Sequence, residues 1–90
     1  MLEITTTKVF EKDYKLLKKR GYNLNLLKEV IELIANEKEL PSKYRNHRLV
    51  GNYSGFMECH IRPDWLLIYK IEKSKLILTL SRTGTHSDLF

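Results

Sequence analysis

The chain is poor in the residues that staple, anchor or decorate proteins. It has one cysteine, Cys59, in 90 residues. A lone thiol excludes an intrachain disulfide framework and a multi-cysteine metal site, and sets the expectation of a reducing, cytoplasmic setting. Two prolines and four glycines leave no linker-like or low-complexity tract, and no segment repeats. The apolar runs fall far short of the roughly 20 residues that cross a bilayer. The opening MLEITTTKVF introduces an acid at once and lacks the apolar core of a secretory signal. The expectation is one domain, residues 1–90, with no membrane segment. A chain of this size buries about 60–65% of its extended surface and is stable by about 5–10 kcal/mol.

What is present is basic charge and one core's worth of apolar residues. Sixteen Lys and Arg oppose eleven Asp and Glu, a net charge of +5 with a pI near 9.4, and 42% of residues are hydrophobic. The charge favours a polyanionic partner, nucleic acid or an acidic protein. Leu2–Thr6 alternates as a strand. Thr7 is an N-cap, and Phe10, Tyr14 and Leu17 set a helical stripe over Lys8–Arg20, widened by Val9 and Leu16. Gly21 stops this helix. Asn23 caps a second, which buries Leu27, Val30, Ile31 and Ile34 and ends before Pro41. Leu49 and Val50 form a short strand candidate. Phe56–Ile61, Trp65–Ile71 and Leu76–Ser81 follow as strands joined by the short turns RPD and EKSK, an antiparallel meander. The fold class is α+β: a small antiparallel sheet packed on one face by a helical hairpin, in the order β-α-α-β-β-β.

A meander brings the end of its last strand beside the start of its middle one. Arg82 and the tail RTGTHSDLF therefore emerge next to His60, Asp64 and Trp65, and His47 leads into the same edge. Histidine supplies acid–base chemistry near neutral pH. Arginine holds a phosphoryl transition state. An aromatic ring offers a platform to an unstacked base. These are the parts for cleaving RNA by attack of its own 2′-hydroxyl, without a metal. Simpler readings stand beside them: Trp65 opens a buried strand, Asp64 is a common turn residue, and Phe90 can anchor the terminus. No spacing resembles a His-x-x-x-His pair or a Cys-x-x-Cys hook, so the sequence gives no metal signal. No nucleophile elbow is present either. Lys8, Lys12, Lys15 and Lys19 fall on one ridge of the first helix. That ridge is either a solvated face or a phosphate-tracking surface suited to a large RNA.

The pieces H-x-L-x-G from His47, H-x-x-P-D-W-x-L-I-Y from His60 and R-T-G-T-H-x-x-L-F from Arg82 closely resemble the YafQ branch of the RelE/ParE toxin superfamily, over essentially the whole chain. The resemblance implies the toxin of a type II toxin–antitoxin pair, a ribosome-dependent mRNA endonuclease that cuts codons in the ribosomal A site and uses no metal or other cofactor. It implies a cognate antitoxin from an adjacent gene, with a heterotetrameric complex as a family expectation, and ribosome and mRNA as further partners. It assigns the active site to His47, His60, Asp64, Trp65, Arg82, His86 and Phe90. On this resemblance His86 is the proton donor, Arg82 stabilises the phosphorane, His47 positions the phosphate and Phe90 stacks on a base. His60 or Asp64 takes the 2′ proton; His60 is favoured, because a carboxylate with pKa near 3.9 is a weak base at neutral pH. The lysine ridge would dock ribosomal RNA. The rival is a ParE-like toxin that binds DNA gyrase, from which this histidine–aspartate–arginine set is not expected.

Overall fold

A computed structural model describes residues 1–90. The order is β1 (Glu3–Thr6), α1 (Lys8–Lys19), α2 (Leu24–Ala35), β2 (His47–Arg48), β3 (Met57–Arg62), β4 (Trp65–Glu72), β5 (Ile77–Gly84) and a one-turn α3 (His86–Leu89). Short 3-10 turns occupy Ser42–Tyr44 and Gly51–Tyr53.

Local chemistry starts and stops the helices as the residues dictate. The Thr7 hydroxyl accepts from the Phe10 N–H at 2.9 Å, and the Asn23 side chain accepts from the Asn25 N–H, which satisfies donors that a helix start leaves free. At the end of α1, Gly21 adopts φ +80°. The Tyr22 and Gly21 N–H groups then reach back to the carbonyls of Leu17 and Lys18, the paired bonds of a left-handed helix stop. Helix α2 ends the same way, with Glu37 at φ +56° and not glycine, well before Pro41.

The strands form one five-stranded sheet in the order β1-β5-β4-β3-β2. The meander β3-β4-β5 is antiparallel, as its short turns demand. The sheet as a whole is mixed, however, because β1 lies parallel to β5, with Glu3 opposite Ile77 and Thr6 opposite Leu80. No turn joins these two strands, so no local signal sets their direction. Other boundaries also move. The short strand before β3 is His47–Arg48, while Val50 is largely exposed. Leu76 belongs to the turn, with φ +55°, and is exposed, while Leu78 and Leu80 are buried. Val9 and Leu16 lie on the solvent side of α1.

Both helices pack on one face of the sheet. Phe10, Leu17, Leu27, Val30 and Ile34 meet Cys59, Trp65, Leu67, Tyr69, Leu78 and Leu80 there. Strand β4 is central and buried on both sides. Its alternate residues Leu66 and Ile68 face away from the helices and meet Leu89, with Leu49, Tyr53 and Phe56 packed around them. Burial, helped by Glu58, pushes the Cys59 thiol up to about 12, so it is an inert core residue. No helix is long and apolar enough to cross a membrane.

Candidate active site

The pairing register assigns the polar residues to a face before any contact is considered. Directly opposed residues in a sheet share a face. His47 is opposite Glu58, Glu58 opposite Ile68, and Ile68 opposite Arg82. His60 is opposite Leu66, and Leu66 opposite Gly84. Leu66 and Ile68 mark the face without helices, so two adjacent rows carry His47, Glu58, His60 and Arg82 across that face. The register of β5 shifts between its partners of Ile68 and Tyr69. This bulge at Ser81 turns Arg82 to the open face and Thr83 to the helix side; strict alternation from Leu80 would do the reverse.

The tail then folds back over this face. Gly84 has φ +156°, and a Cβ there would lie 3.0 Å from Asp88 Oδ2 and 3.1 Å from Asp88 Cβ, so the return needs a bare backbone. Thr85 and Asp88 form a reciprocal capping box that starts α3. Arg20, at the end of α1, clamps Asp88 with two donated hydrogen bonds of 2.8 and 3.2 Å. That clamp, with the Thr85 N–H, holds the Asp88 carboxyl well below the usual carboxylate range.

Asp64, in the β3–β4 turn, receives the start of α3. Its Oδ1 accepts from the His86 backbone N–H at 2.9 Å and contacts His86 Nδ1 at 2.5 Å. These bonds, the backbone one first, lower its pKa, so Asp64 stands as a carboxylate that orients His86. With Nδ1–H donated to Asp64, His86 Nε2 is left without a protein partner. The His60 ring lies 5.8 Å from that of His86, and the His47 ring 6.1 Å beyond His60. The convergence of His47, His60, Asp64 and His86 that the meander implies is thus present.

Sequence reasoning missed Glu58, the centre of the group. Its side chain is 7% exposed and lies 3.2 Å from His47 Nε2 and 3.5 Å from His60 Nε2. Both rings are set from behind: His47 Nδ1 is 2.7 Å from the Arg45 carbonyl and His60 Nδ1 is 3.3 Å from the Pro63 carbonyl. Carbonyls only accept, so each Nδ1 carries the hydrogen and each Nε2 turns to the carboxylate. A proton or a cation placed between those facing acceptors would join them. One ligand atom from each of His47, Glu58 and His60 falls within 4.8 Å of the others, a three-donor set suited to a metal ion. The only early pointer to Glu58 is parity, since it stands two residues before His60 on one strand.

Three assigned residues lie outside the histidine cluster. Trp65 is 1% exposed. Its ring meets Tyr22 edge-on at 5.0 Å, and its indole N–H donates to Thr83 Oγ1 at 3.0 Å. It is a core residue on the helix side, closed to a base. Arg82 gives Nε and Nη2 to Asp13 of α1 at 2.8 and 3.1 Å and lies beside Tyr53, so it flanks the histidines and is not bonded to them. Phe90 is 64% exposed and packs edge-on against Tyr53 at 5.8 Å. Tyr53, which also meets Phe56, is a second aromatic of this edge that sequence reading passed over. Lys8, Lys12, Lys15 and Lys19 are all exposed along α1.

Residues 2–90 match the sequence model of the family described as the bacterial toxin of type II toxin–antitoxin systems, YafQ. The mRNA interferase toxin YafQ of Escherichia coli K12 is 42% identical over 82 residues, covering 90% of this chain and 87% of that protein. A metal-bound toxin from Helicobacter pylori superposes with a TM-score of 0.95 at 48% identity, both chains covered in full. E. coli YafQ, solved in complex with DinJ, superposes at 0.89 with 41% identity, covering 100% of this chain and 99% of that one. The α+β fold with its histidine–carboxylate face is that of a small toxin of the type II class. Within that class, the chain belongs to the YafQ family.

Proposed function

We propose that this chain is an mRNA interferase, an endoribonuclease that cuts mRNA on the ribosome, held silent by a cognate antitoxin. The supporting observation is a pair of imidazoles 5.8 Å apart, His60 and His86, each in contact with its own carboxylate, Glu58 and Asp64. Two such groups are what 2′-hydroxyl attack on an adjacent phosphodiester requires. His60 takes the 2′ proton at Nε2, and the Glu58 carboxylate beside that same nitrogen stabilises the imidazolium that forms. The 2′ oxygen bonds to phosphorus as the P–O5′ bond breaks. His86 gives its proton to the departing 5′ oxygen, leaving a 2′,3′-cyclic phosphate and a 5′-hydroxyl end. Arg82, anchored by Asp13, brings its fixed positive charge to the charge that builds on the phosphorane. His47 positions the phosphate, and Phe90 with Tyr53 offers a base an aromatic edge.

This scheme runs without a metal, for a chemical reason. A histidine nitrogen bound to an ion has no lone pair left for a proton, so an ion on His47, Glu58 and His60 would compete with the base. The lysine ridge of α1 would dock ribosomal RNA, and an antitoxin with acidic segments would suit the net charge of +5. The test is to map RNA 5′ ends in a translating extract dosed with the protein, beside His86→Ala. Loss of a general acid costs on the order of 10²–10⁴-fold. Cuts inside codons that need ribosomes and vanish in the variant support the reading. Arrested translation with no new RNA ends would remove it and turn attention to gyrase.

A further inference from the structure

A cavity adjoins His60, and neither His47 nor His86 borders it. It encloses about 440 Å³ and is lined by His60 together with Lys43, Tyr44, Arg45 and Arg62, and by no carboxylate. Two arginines elsewhere, Arg20 and Arg82, are spent on Asp88 and Asp13. Lys43, Arg45 and Arg62 have no acidic partner within ion-pair distance. Three cations gathered in one concavity repel each other and focus a positive potential into it. The backbone builds the concavity from two irregular segments. Arg45 sits at φ +47° at the end of a 3-10 turn, and its carbonyl is the one that orients His47. Arg62 stands at the register shift where β3 leaves β4.

We propose that this pocket is a second phosphate subsite, which binds the phosphodiester next to the one being cut. The inference rests on the nuclease reading and extends it. A strand whose reacting phosphate lies between His60 and His86 must continue past His60, and the pocket opens there. Unpaired guanidinium groups suit phosphate oxygens better than any other ligand in reach of this site. The subsite fixes the strand on one side of the reacting phosphate, while Phe90 and Tyr53 hold it on the other.

The Lys43→Gln/Arg62→Gln double variant tests this, with Lys43→Arg/Arg62→Lys as a charge-keeping control. Both positions are on the surface, and circular dichroism checks the fold. First, a short uncleavable 2′-O-methyl oligoribonucleotide is titrated into each protein, following the amide resonances of residues 43–45 and 62 by NMR. The expected result is a shift at those amides in the wild type and several-fold weaker binding in the Gln variant. The variant's plot of log affinity against log salt should be flatter by about 0.7 for each phosphate it no longer neutralises. The control should keep the wild-type slope. Second, cutting in the translating extract should lose efficiency through KM more than kcat, with an unmoved pH profile. Equal affinity and equal slope in the Gln variant would overturn the subsite, and wild-type cutting would leave the nuclease reading standing. A wild type that binds the oligonucleotide at these amides yet never cuts would support the subsite and overturn the nuclease reading.

Discussion

Replacing Trp65 by Phe tells a buried ring from a stacking one. The indole N–H bond to Thr83 Oγ1 disappears, at a cost of about 1 kcal/mol. The Thr83 hydroxyl still donates to the Leu66 carbonyl at 2.8 Å, so no buried donor is stranded. The missing ring volume, in a site 1% exposed, adds about 1 kcal/mol of cavity cost, and the edge-on packing with Tyr22 weakens. The sum is about 2 kcal/mol out of a stability of about 5–10. For a domain of this size each kcal/mol moves the melting midpoint by about 4–8 °C, so a fall of about 8–16 °C is expected. Thermal melts by circular dichroism read this directly. Cleavage is measured well below both midpoints, where nearly all of either protein is folded, and should stay within a few-fold of wild type. A midpoint that moves by less than about 3 °C, together with a tenfold loss of RNA binding or cutting, would refute the argument and make Trp65 a platform for a base.

The remaining predictions concern the tail and the lysine ridge. Asp88 has a depressed pKa, so the folded state binds fewer protons than the unfolded one, and its contribution is present above about pH 4 and lost as the pH falls further. Asp88→Asn should flatten that acid limb and loosen α3 by about 1 kcal/mol, the ordinary worth of a cap, seen as faster amide exchange at residues 86–90; an unchanged acid limb would show that Asp88 does not secure the tail. Replacing Lys12 and Lys15 together should weaken ribosome binding and flatten its salt dependence. An unchanged salt slope would leave α1 with a solvated face.

How much of this was legible in the sequence depends on whether the cause is local. Thr7, Gly21 and Asn23 act within one turn of themselves, and each does what its chemistry implies. The RPD turn and the dense strand after it set the antiparallel meander, and the meander alone brings Asp64 beside the tail. The meeting of His60, Asp64 and His86 follows from topology alone. The direction of β1 was not legible, because its partner β5 lies some seventy residues away and no turn records the pairing. The bulge at Ser81 was equally silent. It adds one residue without a glycine or proline to announce it, and it decides which face receives Arg82.

Charge pairing over long separations was the other blind spot, and it changes how the site is read. Asp13 on α1 holds Arg82 across 69 residues, and Arg20 holds Asp88 across 68. The first helix therefore supports both the arginine and the tail, besides covering the core on its other side. Glu58 looked like one more strand carboxylate because its two partners arrive from different directions: His60 by alternation within β3 and His47 by pairing from β2. A carboxylate almost closed to solvent is costly unless protonated or paired. Two imidazoles fixed from behind by backbone carbonyls supply that pairing, and the same restraint aims their remaining nitrogens at one point. The arrangement that makes Glu58 tolerable in a 90-residue domain is thus the one that gathers His47 and His60, so the burial of one acid and the assembly of the site are a single structural fact.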